Sequence, residues 1–241
     1  MTVRILFSIS LAMTASLLWG QELTELQAVT PEEFDQYLVA EAASTPSARV
    51  AAANAFLKRW PRSALAGPVG IWLMEAHREL DQGEAAIRAG EGVIEANRDL
   101  VPALITLSEL LVNLRTAPVE LERATEIARR VLGLVNGGLD VPRSVPLESW
   151  LRAKREYEAR VWAVVGQAEF KRDRAREALA AFARAVQDEP AFDGARHLRY
   201  GLLLQQAGRM AEARRELEAV VRQGPEALRE RARAALAGRA R

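Results

Sequence analysis

Residues 159–192 read ARVWAVVGQAEFKRDRAREALAAFARAVQDEPAF, and residues 194–227 read GARHLRYGLLLQQAGRMAEARRELEAVVRQGPEA. Trp162, Gly166, Ala178, Phe182, Ala185 and Pro190 in the first stretch recur 35 residues later as His197, Gly201, Ala213, Leu217, Val220 and Pro225 in the second. Gly166/Gly201, Ala178/Ala213 and Pro190/Pro225 are identical pairs. A fixed period of this length marks a solenoid, in which one small unit buries its apolar face against the next copy. Gly166 lets the second helix of a unit cross closely, Ala178 is expected to fill that notch, Phe182 to reach the next unit, and Pro190 to end the helix.

Outward from these units, apolar residues recur at helical spacing almost without interruption from Thr30 onward, and no segment alternates with period two. Pro and Gly punctuate the run. The predicted helices cover residues 30–43, 47–60, 64–80, 84–97, 100–115, 118–135, 146–172, 174–187, 191–206, 209–222 and 225–237. Thr30 is an N-cap with Pro31 at the first helical position. Glu33 completes a capping box, with Val29 and Phe34 as the expected staple.

The spacing in 159–192 resembles the tetratricopeptide repeat, whose unit of about 34 residues carries Trp, Leu, Gly and Tyr, then Ala, Phe and Ala, then Pro. Trp162, Gly166, Ala178, Phe182, Ala185 and Pro190 match, whereas Val165 and Glu169 depart from the usual Leu and Tyr. The following unit matches at Gly201, Gly208, Ala213 and Pro225. Weaker copies lie upstream. One has Trp72 and Ala76 before Ala86–Asn97, and another has Leu104, Leu107, Ser108 and Leu111 before Ala124, Ala128 and Val131. The run Phe56–Ser63 resembles repeat endings of exported bacterial members, and the resemblance extends over most of residues 31–238.

The resemblance implies an all-α, right-handed α-solenoid of antiparallel helix pairs, with about five repeats and a C-terminal capping helix over 225–237. It also implies a concave groove lined by the first helix of each pair, in which a peptide or partner segment lies. Carrying family positions across gives Arg160, Gln167 and Lys171 in one repeat and Gln205 and Gln206 in the next. His77, Glu109 and Asn113 follow in the upstream copies. The Lys/Asn set with which chaperone-binding members grip a terminal carboxylate is not present as a set.

Composition bounds the chemistry. The 241 residues contain no cysteine, which excludes disulfides, thiol nucleophiles and iron–sulfur ligation. His77 and His197 are the only histidines, too few for a histidine-rich metal site. His197 takes the place of Trp162 and reads as a packing residue, and Trp60, Trp72, Trp150 and Trp162 read as core. No phosphate loop, nucleophile elbow or acid–base–nucleophile set is present. No cofactor and no catalytic residue is expected, and Glu33 and the scattered acids read as surface groups.

Met1–Arg4 followed by the uncharged, mostly apolar Ile5–Trp19 reads as a secretory signal over residues 1–20. The apolar stretch is about 22 Å long as a helix, short of the roughly 30 Å hydrocarbon core. An uncleaved anchor is the alternative. Residues 21–29 form a short linker, 30–135 the N-terminal repeats and 146–238 the C-terminal ones. The Gly- and Pro-containing stretch over 136–145 is a linker between them. It falls where the charge changes sign. Residues 21–140 hold 11 basic and 18 acidic groups, and residues 141–241 hold 21 and 14. Acids interleave with the arginines, which argues against a nucleic-acid partner. The expected function is a non-catalytic scaffold, exported to the cell envelope, that binds another protein or peptide. The alternative is a self-assembling envelope component that uses its acidic and basic halves.

Overall fold

The computed structural model describes residues 28–137, 145–187 and 189–238. The signal over 1–20 and most of the linkers at 21–29 and 136–145 lie outside the described residues. Among the described residues eleven helices follow in order: α1 Pro31–Glu41, α2 Pro46–Arg59, α3 Ala66–Glu79, α4 Gly83–Ala96, α5 Val101–Leu114, α6 Pro118–Gly137, α7 Leu147–Lys171, α8 Ala175–Gln187, α9 Gly194–Gln206, α10 Met210–Gln223 and α11 Glu226–Leu236. Successive helices pack as antiparallel pairs, and α11 closes the stack against α9 and α10. The fold is the expected all-α solenoid.

Thr–Pro starts two helices. Thr30 and Thr45 are extended, and each hydroxyl accepts from the N–H three residues on, Glu33 and Ala48, both at 3.2 Å. Pro31 and Pro46 have no N–H to leave unpaired there. α2 therefore starts at Pro46, earlier than expected, because Thr45 is a cap as well as a break. α9 starts at Gly194, not Ala191, because the Asp193 carboxylate accepts from the N–H groups of Ala195 and Arg196 at 2.8 and 3.1 Å.

The N-terminus of α1 departs from expectation. Glu33 is not a surface group but only 2% exposed. One carboxylate oxygen accepts from the Val29 N–H at 2.6 Å, and the other accepts from the Ser63 hydroxyl. The capping box thus closes one residue further out than Thr30, and its acid fastens α1 to the α2–α3 turn. The staple does not form, since Val29 is 87% exposed.

Three pair turns share one geometry. Asp81, Asp173 and Gly208 have φ of 57, 59 and 73°. The next N–H in each case, from Gln82, Arg174 or Arg209, donates back to His77, Glu169 or Leu204. This is the six-residue closure that satisfies helix-end carbonyls through one left-handed residue. Asp173 and Gly208 are again one 35-residue period apart.

Close crossing depends on glycine, but the notch is not filled by Ala178. A Cβ at Gly166 would lie 2.6 Å from the Phe182 ring, and one at Gly201 would lie 2.9 Å from Leu217. Helical side chains lean toward the N-terminus, so the ring at 182 covers the turn before it and displaces Ala178 from the notch. Phe182 also meets Tyr200, Leu203 and Leu204 of the next pair, as expected. Between α3 and α4 the device is reciprocal. Gly70 receives Val93, and Gly90 receives Met74.

One hydrophobic cluster runs from Met74 on α3 to Ala168 on α7 through Leu104, Leu111, Ala128, Tyr157 and Val161. It crosses the position at which the charge changes sign. The capping helix buries Ala232 and Ala235 against Leu198, Leu217 and Val220, with Leu228 and Leu236 at the margin. Of the tryptophans, Trp150 is buried, Trp60 and Trp72 are partly buried in an N-terminal aromatic cluster, and Trp162 lies under the Arg184 guanidinium at 4.4 Å.

His197 is more than a packing residue. Its ring stacks on Phe192 at 4.5 Å, and its two nitrogens meet Glu216 at 2.6 Å and Glu189 at 2.9 Å. Burial alone would lower its pKa, but the two carboxylates outweigh burial and raise it from 6.5 to about 9. Arg196 faces the same acid, its Nε 3.4 Å from Glu189.

Two outcomes follow from this packing. Gly166→Leu should cost about 1–3 kcal/mol in urea unfolding, with much of the loss relieved when Phe182→Ala is added. Strict additivity would place Gly166 away from that ring. A histidine whose pKa rises on folding stabilises fully below its unfolded value and loses that contribution as pH rises through its folded value. Melting should therefore fall as pH rises from 6.5 through about 9. The loss amounts to at most about 3 kcal/mol, and His197→Gln should flatten the profile. A profile unchanged by the substitution would rule out the imidazolium as its cause.

Candidate functional site

The odd-numbered helices form the inner layer. α1 packs on α3, α3 on α5, α5 on α7 and α9 on α11, whereas each even helix makes its main contacts with its odd neighbours. In a curved two-layer stack, the layer whose members approach one another is the concave one. An ion pair completes the link from α7 to α9, with Arg196 Nη2 donating to both Glu156 oxygens at 3.0 and 3.1 Å.

On this inner layer α5, α7 and α9 enclose a cavity of about 100 Å³. Its apolar wall is Val112, Ala163 and Val164. Four of the expected groove residues line it together: Glu109 and Asn113 from α5, and Arg160 and Gln167 from α7. Two of these are bound to each other. Arg160 donates through Nε and Nη2 to the two Glu109 oxygens at 2.8 and 2.7 Å. Both side chains are about three-quarters buried, so this bidentate pair stitches α7 to α5. Gln167 is half-buried and Asn113 exposed.

The other candidates sit elsewhere. Lys171 donates to the carbonyls of Arg115 at 2.9 Å and Asn113 at 3.4 Å, so it caps the end of α5. Burial lowers its pKa. Gln205 donates to the Ala235 carbonyl at 3.1 Å and ties α9 to the capping helix. Gln206 is exposed beside it. His77 is outside the cavity, its Nδ1 2.7 Å from the Gln82 amide oxygen within the α3–α4 turn. Among the described residues no group of three or more metal-ligating side chains converges.

Sequence reasoning missed the third wall. Asp193, Arg196 and Arg199 line the cavity from α9 and its cap. Arg196 is 5% exposed, while Arg199, one turn on, is exposed. Burial raises the Glu156 pKa against the lowering pull of Arg196. The 35-residue repeat offered one signal, since Arg196 is displaced by one period from Val161, and charge has replaced a core residue there.

A larger cleft, about 310 Å³, opens on the outer side between α4 and α6 over Leu104 and Leu107 of α5. Arg123–Glu91 at 2.8 Å bridges its rim. No sequence candidate falls in it. No described helix is long and apolar enough to cross a membrane.

No family model matches the sequence, and no curated protein matches it. Solved structures do. A MamA structure, the RS-1 ArsTM double mutant, is similar with a TM-score of 0.59 at 11% identity, over 81% of this chain and 96% of that one. TTC0263, a thermophilic TPR protein in Thermus thermophilus, is similar with a TM-score of 0.54 at 20% identity, over 85% and 98%. Likeness at such identities is likeness of fold, and together with the helix pairs and the glycine crossings it gives this chain the tetratricopeptide-repeat fold.

Proposed function

We propose that this protein is a non-catalytic scaffold, exported to the bacterial cell envelope, that holds a segment of another protein in its concave groove. The observation that carries the reading is the cavity on the inner layer, where three odd helices bring polar and charged groups around a short apolar wall. Such a surface suits an extended peptide or loop. The tetratricopeptide-repeat fold supports a binding role. Export rests on the basic start and the uncharged stretch Ile5–Trp19.

The contact residues are the untied ones, Gln167, Asn113 and Gln206. Arg160, Glu109, Lys171 and Gln205 serve the groove by shaping it, because their polar atoms are used within the fold. A photo-crosslinking residue at Gln167 or Asn113 should trap one partner species in envelope extracts. The same residue at Arg184 or Arg214 on the outer helices should trap none. Gln167→Ala with Asn113→Ala should weaken that capture and shift stability by less than about 0.5 kcal/mol. Arg160→Ala should instead lower the melting temperature, since it leaves the partly buried Glu109 unpaired. Crosslinks confined to the outer helices would overturn the groove assignment. Salt-sensitive self-association with no crosslink to a second species would favour assembly through the acidic and basic halves. Mass spectrometry of the native protein should find the first 20 or so residues removed, and intact Met1–Arg4 in a cytoplasmic pool would remove the case for export.

A further inference from the structure

The end of α6 joins a reactive pair of residues to a weak turn. The chain holds four asparagines, Asn54, Asn97, Asn113 and Asn136, and of these only Asn136 precedes a glycine. An asparagine amide is an electrophile for the backbone nitrogen of the next residue, and a side chain on that residue crowds the attack. Ala55, Arg98 and Leu114 crowd it at the other three positions, whereas Gly137 does not. Asn54 and Asn113 are exposed as Asn136 is, so exposure alone does not set Asn136 apart.

α6 ends at Gly137, and both Asn136 and Gly137 are exposed. Asn136 Nδ2 donates to the Leu132 carbonyl at 3.0 Å, which holds the amide back along the helix. Reaction therefore needs the last turn to open. Gly133 and Gly137 flank the amide, and a Cβ at either would meet nothing within 4 Å. Packing requires neither glycine, and glycine is a poor helix former, so this turn opens more readily than the rest of α6. Val135, the last core residue that α6 supplies, comes immediately before the amide. Asp193–Gly194 offers a similar pairing, but there the structure closes the route. The Asp193 carboxylate accepts from the N–H groups of Ala195 and Arg196 at 2.8 and 3.1 Å and pairs with Arg196 Nε at 3.2 Å.

We propose that Asn136 is a site of spontaneous deamidation, gated by the last turn of α6. With the turn open, the Gly137 amide nitrogen attacks Asn136 Cγ. The new N–Cγ bond closes a cyclic imide, the Cγ–Nδ2 bond breaks, and ammonia leaves with the proton from the Gly137 nitrogen. Water then opens the ring at either carbonyl, giving aspartate or isoaspartate. Both products place a negative charge at the C-terminal end of α6, where the unpaired carbonyls disfavour it. Isoaspartate also adds a methylene to the main chain directly after Val135, and helical hydrogen bonding cannot continue through it. The last turn of α6 is thus lost progressively as the chain ages, with water as the only co-reactant.

The test holds the full chain at mildly alkaline pH, where the attacking nitrogen loses its proton more readily, and follows it by peptide mapping over days. The peptide with Asn136 should show the amide-to-acid mass change and isoaspartate, while Asn54, Asn97, Asn113 and Asp193 stay unchanged. Unfolding in urea should speed the reaction at Asn136. Gly137→Ala should slow it about fivefold or more, since the helix propensity of alanine alone supplies that factor and its methyl group adds crowding. The deamidated chain, separated by anion exchange, should lose helicity and melt below the intact one. Asn136→Asp, which adds the charge without the methylene, should fall between them. An Asn136 that keeps its amide in the folded chain and reacts only in urea would overturn the proposal, as would equal rates at the other asparagines. Equal rates with and without urea would overturn the gate. Deamidation that leaves helicity and melting unchanged would overturn the effect assigned to the end of α6.

Discussion

The constraint on which the structure depends is the distance between paired helices, and a missing Cβ sets it. At Gly166 and Gly201 a large residue of the second helix occupies the space that a side chain would take. At Gly70 and Gly90 each helix of the pair gives way to the other. Every pair so fixed presents its first helix at a reproducible height, and stacking then follows from the apolar residues left over. Those residues make one cluster from Met74 to Ala168, so the groove wall formed by α5 and α7 stands on a shared core.

Polar groups do a second task, which is to fix the stack along its inner layer. Arg160–Glu109 joins α7 to α5, Lys171 closes the end of α5, Arg196–Glu156 joins α9 to α7, and Gln205 holds the capping helix. These bonds cross from one odd helix to another. A largely buried bidentate pair fixes both distance and direction, which a methyl contact does not. The same residues that resemble family contact positions are therefore largely occupied in shaping the groove.

The repeat was legible in the sequence because glycine, alanine and proline each answer a backbone requirement that recurs every 35 residues. The helices were legible for the same reason, with boundaries shifted where a side chain decides them, as Asp193 does for α9 and Thr45 for α2, and also at α3, which starts at Ala66, and α6, which runs through Gly137 into the expected linker. The site was legible in part. Arg160, Gln167, Glu109 and Asn113 converge because they lie at related positions on adjacent first helices. Arg196, Glu189, Glu216 and Glu156 were not legible as a group. The hydrogen bonds that Arg196 and His197 make to these acids span 8, 19 and 40 residues, and their meeting depends on the curvature of the stack. Glu33 was misjudged because its burial comes from Ser63, 30 residues away across a turn.

The continuous cluster has a consequence for how the molecule behaves in an electric field. Residues 21–140 carry a net −7 and residues 141–241 a net +7. A flexible joint at the boundary would let the two halves rotate, and their separation would average away. The shared core from α3 to α7 instead holds acidic and basic stretches at a fixed offset. The chain then carries a permanent dipole moment in its own frame, with almost no monopole. A surface of either sign exerts little net pull on such a body but a definite torque. Near any charged surface the molecule would thus present a preferred face before close contact was made.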